Sequence, residues 1–166
     1  MSRINDLPIL DRRRIEAMIL KHVYDVIVAR SGQEEAEAVI GEACSRSAIE
    51  QGKDLAAQLD HAPDLTDFAA IMPNWTKEDA LQIEPLEMTA EKMDFNVVRC
   101  RYSEMYREMG LGDIGHLLSC NRDGDFCIGY NPDIELTRTQ TIMKGASHCD
   151  FRYRMKAKPE TTKQEG

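Results

Sequence analysis

The chain has 166 residues, an apolar fraction of 42%, a charged fraction of 30% and a formal net charge of −8. This is the balance of a globular domain long enough to bury a core. The acidity excludes a general binder of nucleic-acid phosphates, which needs a basic face, and no apolar run approaches the roughly 20 residues of a membrane span.

The opening Met1-Ser2-Arg3-Ile4 run has neither the apolar stretch nor the small-residue cleavage site of a secretory signal. Five cysteines, an odd number without a C-x-x-C pair, make a poor disulfide framework. Free thiols in a reducing, cytoplasmic setting are expected.

In chain order, Asp11 is placed to cap a helix running to about Arg30, with Ile15, Met18, Ile19, Val23, Val26 and Ile27 at helical spacing. His22 falls on that apolar stripe, where a core or interface role is expected. Ser31 with Glu34 has the form of a capping box, opening a second helix that carries Ala36, Ile40, Cys44 and Leu55 on one side. The two helices read as a hairpin. Asp64 opens a short helix before Pro73, and residues 1–78 form a helical region.

The composition changes from about residue 79. Leu81 to Met88 alternates around Pro85, the pattern of an edge strand with a bulge, and Asp94 to Tyr102 reads as its hairpin partner. Ser103 is placed to cap a helix ended by Gly110, and another runs from Gly112 or Asp113 to about Cys120. Continued helical geometry would set Cys120, Asp123 and Cys127 on one face, although Gly124 and Gly129 weigh against it. Ile134 to Met143 is rich in β-branched residues, and Cys149 to Met155 reads as the last strand. Residues 79–156 form an α+β region that, on a catalytic reading, would hold the site. Residues 157–166 form a polar tail expected to be flexible. The expected fold is α+β: an N-terminal helical hairpin packed on a small, mainly antiparallel sheet with inserted helices, one compact unit.

The chemistry concentrates between Cys120 and Arg152, which holds three cysteines, a histidine and several acids. Such groups build nucleophilic and metal sites. Along an extended last strand, Cys149, Phe151 and Tyr153 share one face while His148, Asp150 and Arg152 share the other. A base for Cys149 would therefore come from Asp123 or His116, or His148 and Asp150 would serve Cys120. Arg122 and Arg152 can supply the positive surroundings a thiolate needs, or fork a substrate carboxylate. Cys120, Asp123, His148 and Cys149 or Asp150 also mix sulfur, nitrogen and oxygen donors that would suit a divalent ion such as Zn or Mn. A structural account, with Cys149 in the core and His148 and Asp150 beside a turn, fits the spacing equally well.

The ordered series Arg99-Cys100-Arg101-Tyr102, Gly110-Leu111, Cys120-x-x-Asp123, Gly129-Tyr130-Asn131-Pro132, Thr139-Gln140-Thr141, Gly145 and His148-Cys149-Asp150-Phe151-Arg152-Tyr153 resembles the L-2-amino-thiazoline-4-carboxylic acid hydrolase family. The resemblance covers the chain from about residue 80. It implies hydrolytic opening of a small five-membered ring at a carbon between nitrogen and sulfur, by a cysteine thiolate or a metal-bound hydroxide. On that reading Cys120, Asp123, His148, Cys149 and Asp150 are the catalytic candidates. Arg152, Arg122, Tyr102 and Asn131 are the substrate-binding ones, and a metal stays open. The expected partners are a small-molecule substrate and a second copy of the chain, joined through the N-terminal helices. The alternative is a non-catalytic module that binds a small molecule or metal.

Overall fold

In the computed structural model, which describes residues 7–157, two long helices lead into a four-stranded antiparallel sheet. Helix α1 spans Ile9–Ser31 and α2 spans Gln33–Ala56. Short helices α3 (Leu65–Ile71) and α4 (Pro73–Thr76) connect them to strands β1 (Leu81–Met88) and β2 (Lys92–Cys100). Helix α5 (Arg101–Glu108), a π-helical turn (His116–Cys120) and α6 (Arg122–Tyr130) follow. Strands β3 (Ile134–Thr137) and β4 (Cys149–Met155) complete the sheet in the order β1-β2-β4-β3. This is the expected α+β architecture. The tail expected to be flexible lies, past residue 157, outside the described residues.

Period-two patterning gives the sheet one buried face. Met93, Phe95 and Val97 of β2 and Cys149, Phe151 and Tyr153 of β4 point inward and meet Leu65 and Phe68 of α3 and Phe126 and Tyr130 of α6. On the edge strand β1, register shifts on either side of Ile83–Pro85 are the bulges expected beside a residue that cannot donate to the ladder. Helix α2 buries Ala36, Ile40, Cys44, Ala48 and Gly52, one residue per turn, against its neighbours. Its crossing with α6 is close. A Cβ on Gly129 would sit 2.0 Å from the Ile49 carbonyl oxygen, and one on Gly52 would sit 2.3 Å from that of Phe126. Glycine at both positions lets the two backbones touch.

Several local expectations are corrected. Helix α1 starts at Ile9 behind Pro8, with Asp11 in its first turn and not at its cap. Ser31 ends α1 instead of capping α2, because Gly32 (φ 91°) breaks the chain and α2 has no side-chain cap. At α5 the Cys100 sulfur accepts from the Ser103 backbone N–H, 3.4 Å, and so takes the capping role expected of Ser103. The region before Cys120 is a π-helix, and α6 runs through Gly124 and Gly129 to Tyr130. Strand β3 stops at Thr137, not near Met143, because the next backbone N–H groups bond to the Asp150 side chain. The apolar stripe of α1 faces outward: Ile15, Met18 and Ile19 are 57%, 60% and 63% exposed, and His22 is exposed with them. Arg13 and Ala17 are buried on the opposite side.

Candidate functional site

A cavity of about 90 Å³ lies where the helical core and the sheet core meet. One water needs only about 10–15 Å³ of such space, so there is room for a small ligand. Much of the wall is aromatic, from Phe68, Trp75, Phe126, Phe151 and Tyr153. Phe68 and Phe126 stack with ring centroids 5.6 Å apart, and Trp75 meets Phe126 edge-on at 5.3 Å.

The π-helix aims the polar groups. Its i to i+5 bond, Asn121 N–H to the His116 carbonyl at 2.9 Å, inserts an extra residue just before α6. Ser119, Cys120, Arg122 and Asp123 all line the cavity. Single π-turns of this kind recur at functional sites. From the other side comes Arg138, just past β3. Its guanidinium bridges Asp123 at 2.5 Å, donates to the Cys120 carbonyl at 2.9 Å and lies 4.9 Å above the Phe151 ring.

Asp123 is enclosed by protein, yet 30% of its side-chain surface stays open because it faces the cavity. Burial pushes its carboxyl above the usual carboxylate range and outweighs the help from Arg138. Arg138, half-buried, is held charged by Asp123. The result is a paired carboxylate more basic than an ordinary one, the property a general base needs. Burial and the neighbouring Asp123 charge push the Cys120 thiol up to about 12. Burial raises Cys100 and Cys149 too, and both line the same cavity. All three rest as protonated thiols.

Among the residues singled out from sequence, Cys120, Asp123, Cys149, Arg122 and Tyr102 line the cavity. Tyr102 donates its hydroxyl to the Trp75 carbonyl at 3.0 Å. The other four stand elsewhere. His148 stacks its polar contacts on Ser147 and Gln140. Asp150 accepts from Thr139 and Gln140 and fixes the chain after β3. Arg152 lies on the outer sheet face, donating to the Phe95 carbonyl and the Asn96 side chain. Asn131 donates to the Pro63 carbonyl at 2.7 Å and ties down the turn before β3. Among the described residues no three His, Cys, Asp or Glu side chains are gathered so as to hold a metal ion. The donors expected for Zn or Mn do not converge on one point.

Sequence reasoning missed Arg138, Arg13, Gln51, Tyr106 and Ser119, all of which line the cavity. A signal existed for Arg138. It continues the inward row Ile134, Leu136, and a charge on an apolar row needs a buried partner. On α1, Arg13 breaks the inner face of Leu10 and Ala17 in the same way.

A model of the L-2-amino-thiazoline-4-carboxylic acid hydrolase family matches residues 12–153. A comparison with curated proteins finds no match. Among solved structures, the phenol-responsive sensory domain of the transcription activator PoxR, solved with phenol, is similar with a TM-score of 0.52 and 12% identity. That likeness covers 82% of this chain and 73% of the other, and it shows a shared fold.

Proposed function

The chain belongs to the L-2-amino-thiazoline-4-carboxylic acid hydrolase family, and from that premise we propose that its cavity hydrolyses a small five-membered ring at an amidine-like carbon between nitrogen and sulfur. The observation that carries this reading is the basic, Arg138-paired carboxylate of Asp123 beside the Cys120 thiol in a partly enclosed, aromatic-walled space. Asp123 accepts the thiol proton, and the Cys120 sulfur adds to the ring carbon. The ring carbon–sulfur bond then breaks, and the leaving sulfur takes the proton back from Asp123. Water next adds to the same carbon, Asp123 again holds the proton in transit, and the Cys120 sulfur leaves as a thiol. The sum is one ring and one water giving one open-chain carbamoyl thiol, with the protein unchanged. Arg138 opposes the effect of burial by favouring the ionised form of Asp123, and it aims the carboxylate.

A wider, more polar cleft of about 320 Å³, bounded by His116, Asn121, Thr139, Gln140 and Lys144, shares Cys120 and Arg138 with the cavity, and it is the route we assign to the substrate. The outward α1 stripe of Ile15, Met18, Ile19 and Val26 suits a second copy of the chain, the homo-oligomer this reading expects.

A second reading, a sensor that binds a ring without turnover, is favoured by the aromatic walls and by the likeness to a phenol-responsive domain. Thiol release from 2-amino-thiazoline-4-carboxylate by the wild type, followed alongside calorimetric binding, separates the two. The hydrolase reading expects release that Cys120→Ser abolishes while binding persists. Tight ring binding with no thiol released would leave the sensor.

A further inference from the structure

The cavity has a second polar end. Arg13 and Arg122, 5% and 7% exposed, both line it, and both lean on a single acid, Glu16, whose side chain is 37% exposed. Arg13 donates twice to Glu16, at 2.7 and 2.8 Å, and once to the Gln51 side-chain oxygen at 3.3 Å. Arg122 donates to the Leu118 carbonyl at 2.9 Å, to the Ser47 hydroxyl at 3.5 Å and to Glu16 at 3.3 Å. These bonds take three of the five N–H groups on each guanidinium and leave two on each for another acceptor.

Beside them stands Tyr106, 1% exposed, with a buried hydroxyl that finds no hydrogen-bond partner among the described residues. The Ser119 hydroxyl is near it without the geometry of a bond. A buried donor left unmatched costs about 1–3 kcal/mol, so its persistence here calls for a missing acceptor. The charge count agrees. Among the described residues, Arg13, Arg122 and Arg138 around the cavity face only Glu16 and Asp123, which leaves one positive charge unmatched. A carboxylate supplies one negative charge and a flat pair of acceptors for the guanidinium forks, whereas a phosphate near its second ionisation would overshoot.

We propose that the end of the cavity between α1, α5 and the π-helix is a carboxylate subsite, built by Arg13, Arg122 and Tyr106, that selects ring acids over neutral rings. It rests on the reading that the cavity takes a small ring, and it holds for an enzyme or a sensor alike. Asp123 and Cys120 then meet the ring while the acid group is held at the other end.

The test uses unreactive five-membered rings, thiophene-2-carboxylate and thiophene-2-carboxamide, titrated calorimetrically into the wild type, Tyr106→Phe and Glu16→Gln. The wild type is expected to take the acid about tenfold more tightly than the amide. Tyr106→Phe should weaken the acid by about three- to tenfold, leave the amide unchanged and keep full thermal stability, since only an unbonded hydroxyl is lost. Glu16→Gln removes the competing charge and should tighten the acid alone. Equal affinity for acid and amide, no binding of either, or equal weakening of both by Tyr106→Phe would overturn the subsite. Selective acid binding without thiol release from 2-amino-thiazoline-4-carboxylate would keep the subsite and sink the hydrolase reading. Equally fast release from the ring lacking its carboxylate would do the reverse.

Discussion

The chemically rich stretch from Cys120 to Arg152 divides into two walls that do different work. The π-helix and α6 turn their reactive groups inward, so Ser119, Cys120, Arg122 and Asp123 all reach the cavity. Strand β4 sends only Cys149, Phe151 and Tyr153 there and keeps Asp150, Arg152 and Arg154 on the far side. Those outer charges hold structure. Asp150 pins the Thr139–Gln140 backbone, Arg152 bonds β2, and Arg154 pairs with Asp94. Similar residue types therefore make a site on one wall and a support on the other. What separates them is period: a helical wall with a π-turn can bring consecutive polar side chains to one space, whereas a strand sends alternate ones away.

The largest effect should come from moving the helical wall as a whole. Gly129→Ala drives a methyl into the Ile49 carbonyl, backbone against backbone, so α2 or α6 must shift. A loss of about 3 kcal/mol or more is expected, together with loss of ring binding. Denaturant melts compared with wild type check it, and unchanged stability would mean the α2–α6 contact is looser than described. Next comes Asp123→Asn, which should lower turnover by about 10²–10⁴ while ring binding stays within about tenfold. In the wild type the rate should fall as pH drops through the raised Asp123 pKa, because the base must be ionised, and the variant should lose that limb. The stability linkage runs the other way. A folded pKa raised by burial favours the protonated form, so that contribution is present below the unfolded value near 3.9 and is lost as pH rises through the folded one.

Much of this fold was legible because the signals were periodic. The Cys149–Met155 strand and its two faces followed from alternation, and the bulged edge strand followed from Pro85. The α1 stripe was legible as a stripe but not in its direction. Helical spacing marks an apolar face without saying whether core or solvent meets it, and the buried side carries Arg13. Half of the site was legible from residue type, through Cys120, Asp123 and Arg122. Arg13 and Arg138 were marked only as charges on apolar rows; that they join Asp123 was not legible, because they lie 110 and 15 residues away from it in sequence and tertiary packing brings them together. The π-turn left no composition signal, since it is an irregularity of hydrogen bonding in an otherwise helical run.

Two cysteines, one from each wall, sharpen the contrast. Cys120→Ser should reduce turnover by at least about a hundredfold, because the less nucleophilic hydroxyl replaces the attacking group. Cys149→Ser should cost only a few-fold. Its sulfur accepts from the Ile142 backbone N–H at 3.2 Å, a role an oxygen can also fill. Turnover of the two purified variants, measured with equal folded fractions, decides. A larger loss at Cys149 would move the nucleophile to the β4 wall.

The smallest effect expected, and the one that presses hardest on the division, belongs to Asp150→Asn. Burial alone would raise the Asp150 carboxyl, but hydrogen bonds from Thr139 and Gln140 outweigh it and hold the group below the usual carboxylate range. A depressed folded pKa gives stability that is present above the unfolded value near 3.9 and is lost as pH falls through the folded one. The amide keeps one acceptor oxygen for the two backbone N–H groups and loses the charge, so a cost of about 1 kcal/mol at neutral pH is expected. The variant's melting temperature should then fall less steeply than the wild type's on acidification. Because the pinned segment carries Arg138, turnover should drop a few-fold through a less well-aimed Asp123, and the acid limb of the pH profile should move slightly upward as the pull of Arg138 on Asp123 weakens. If Asp150→Asn instead abolished turnover at unchanged melting temperature, the outer face of β4 would be taking part in the reaction, and the division between a reacting wall and a supporting one would not hold.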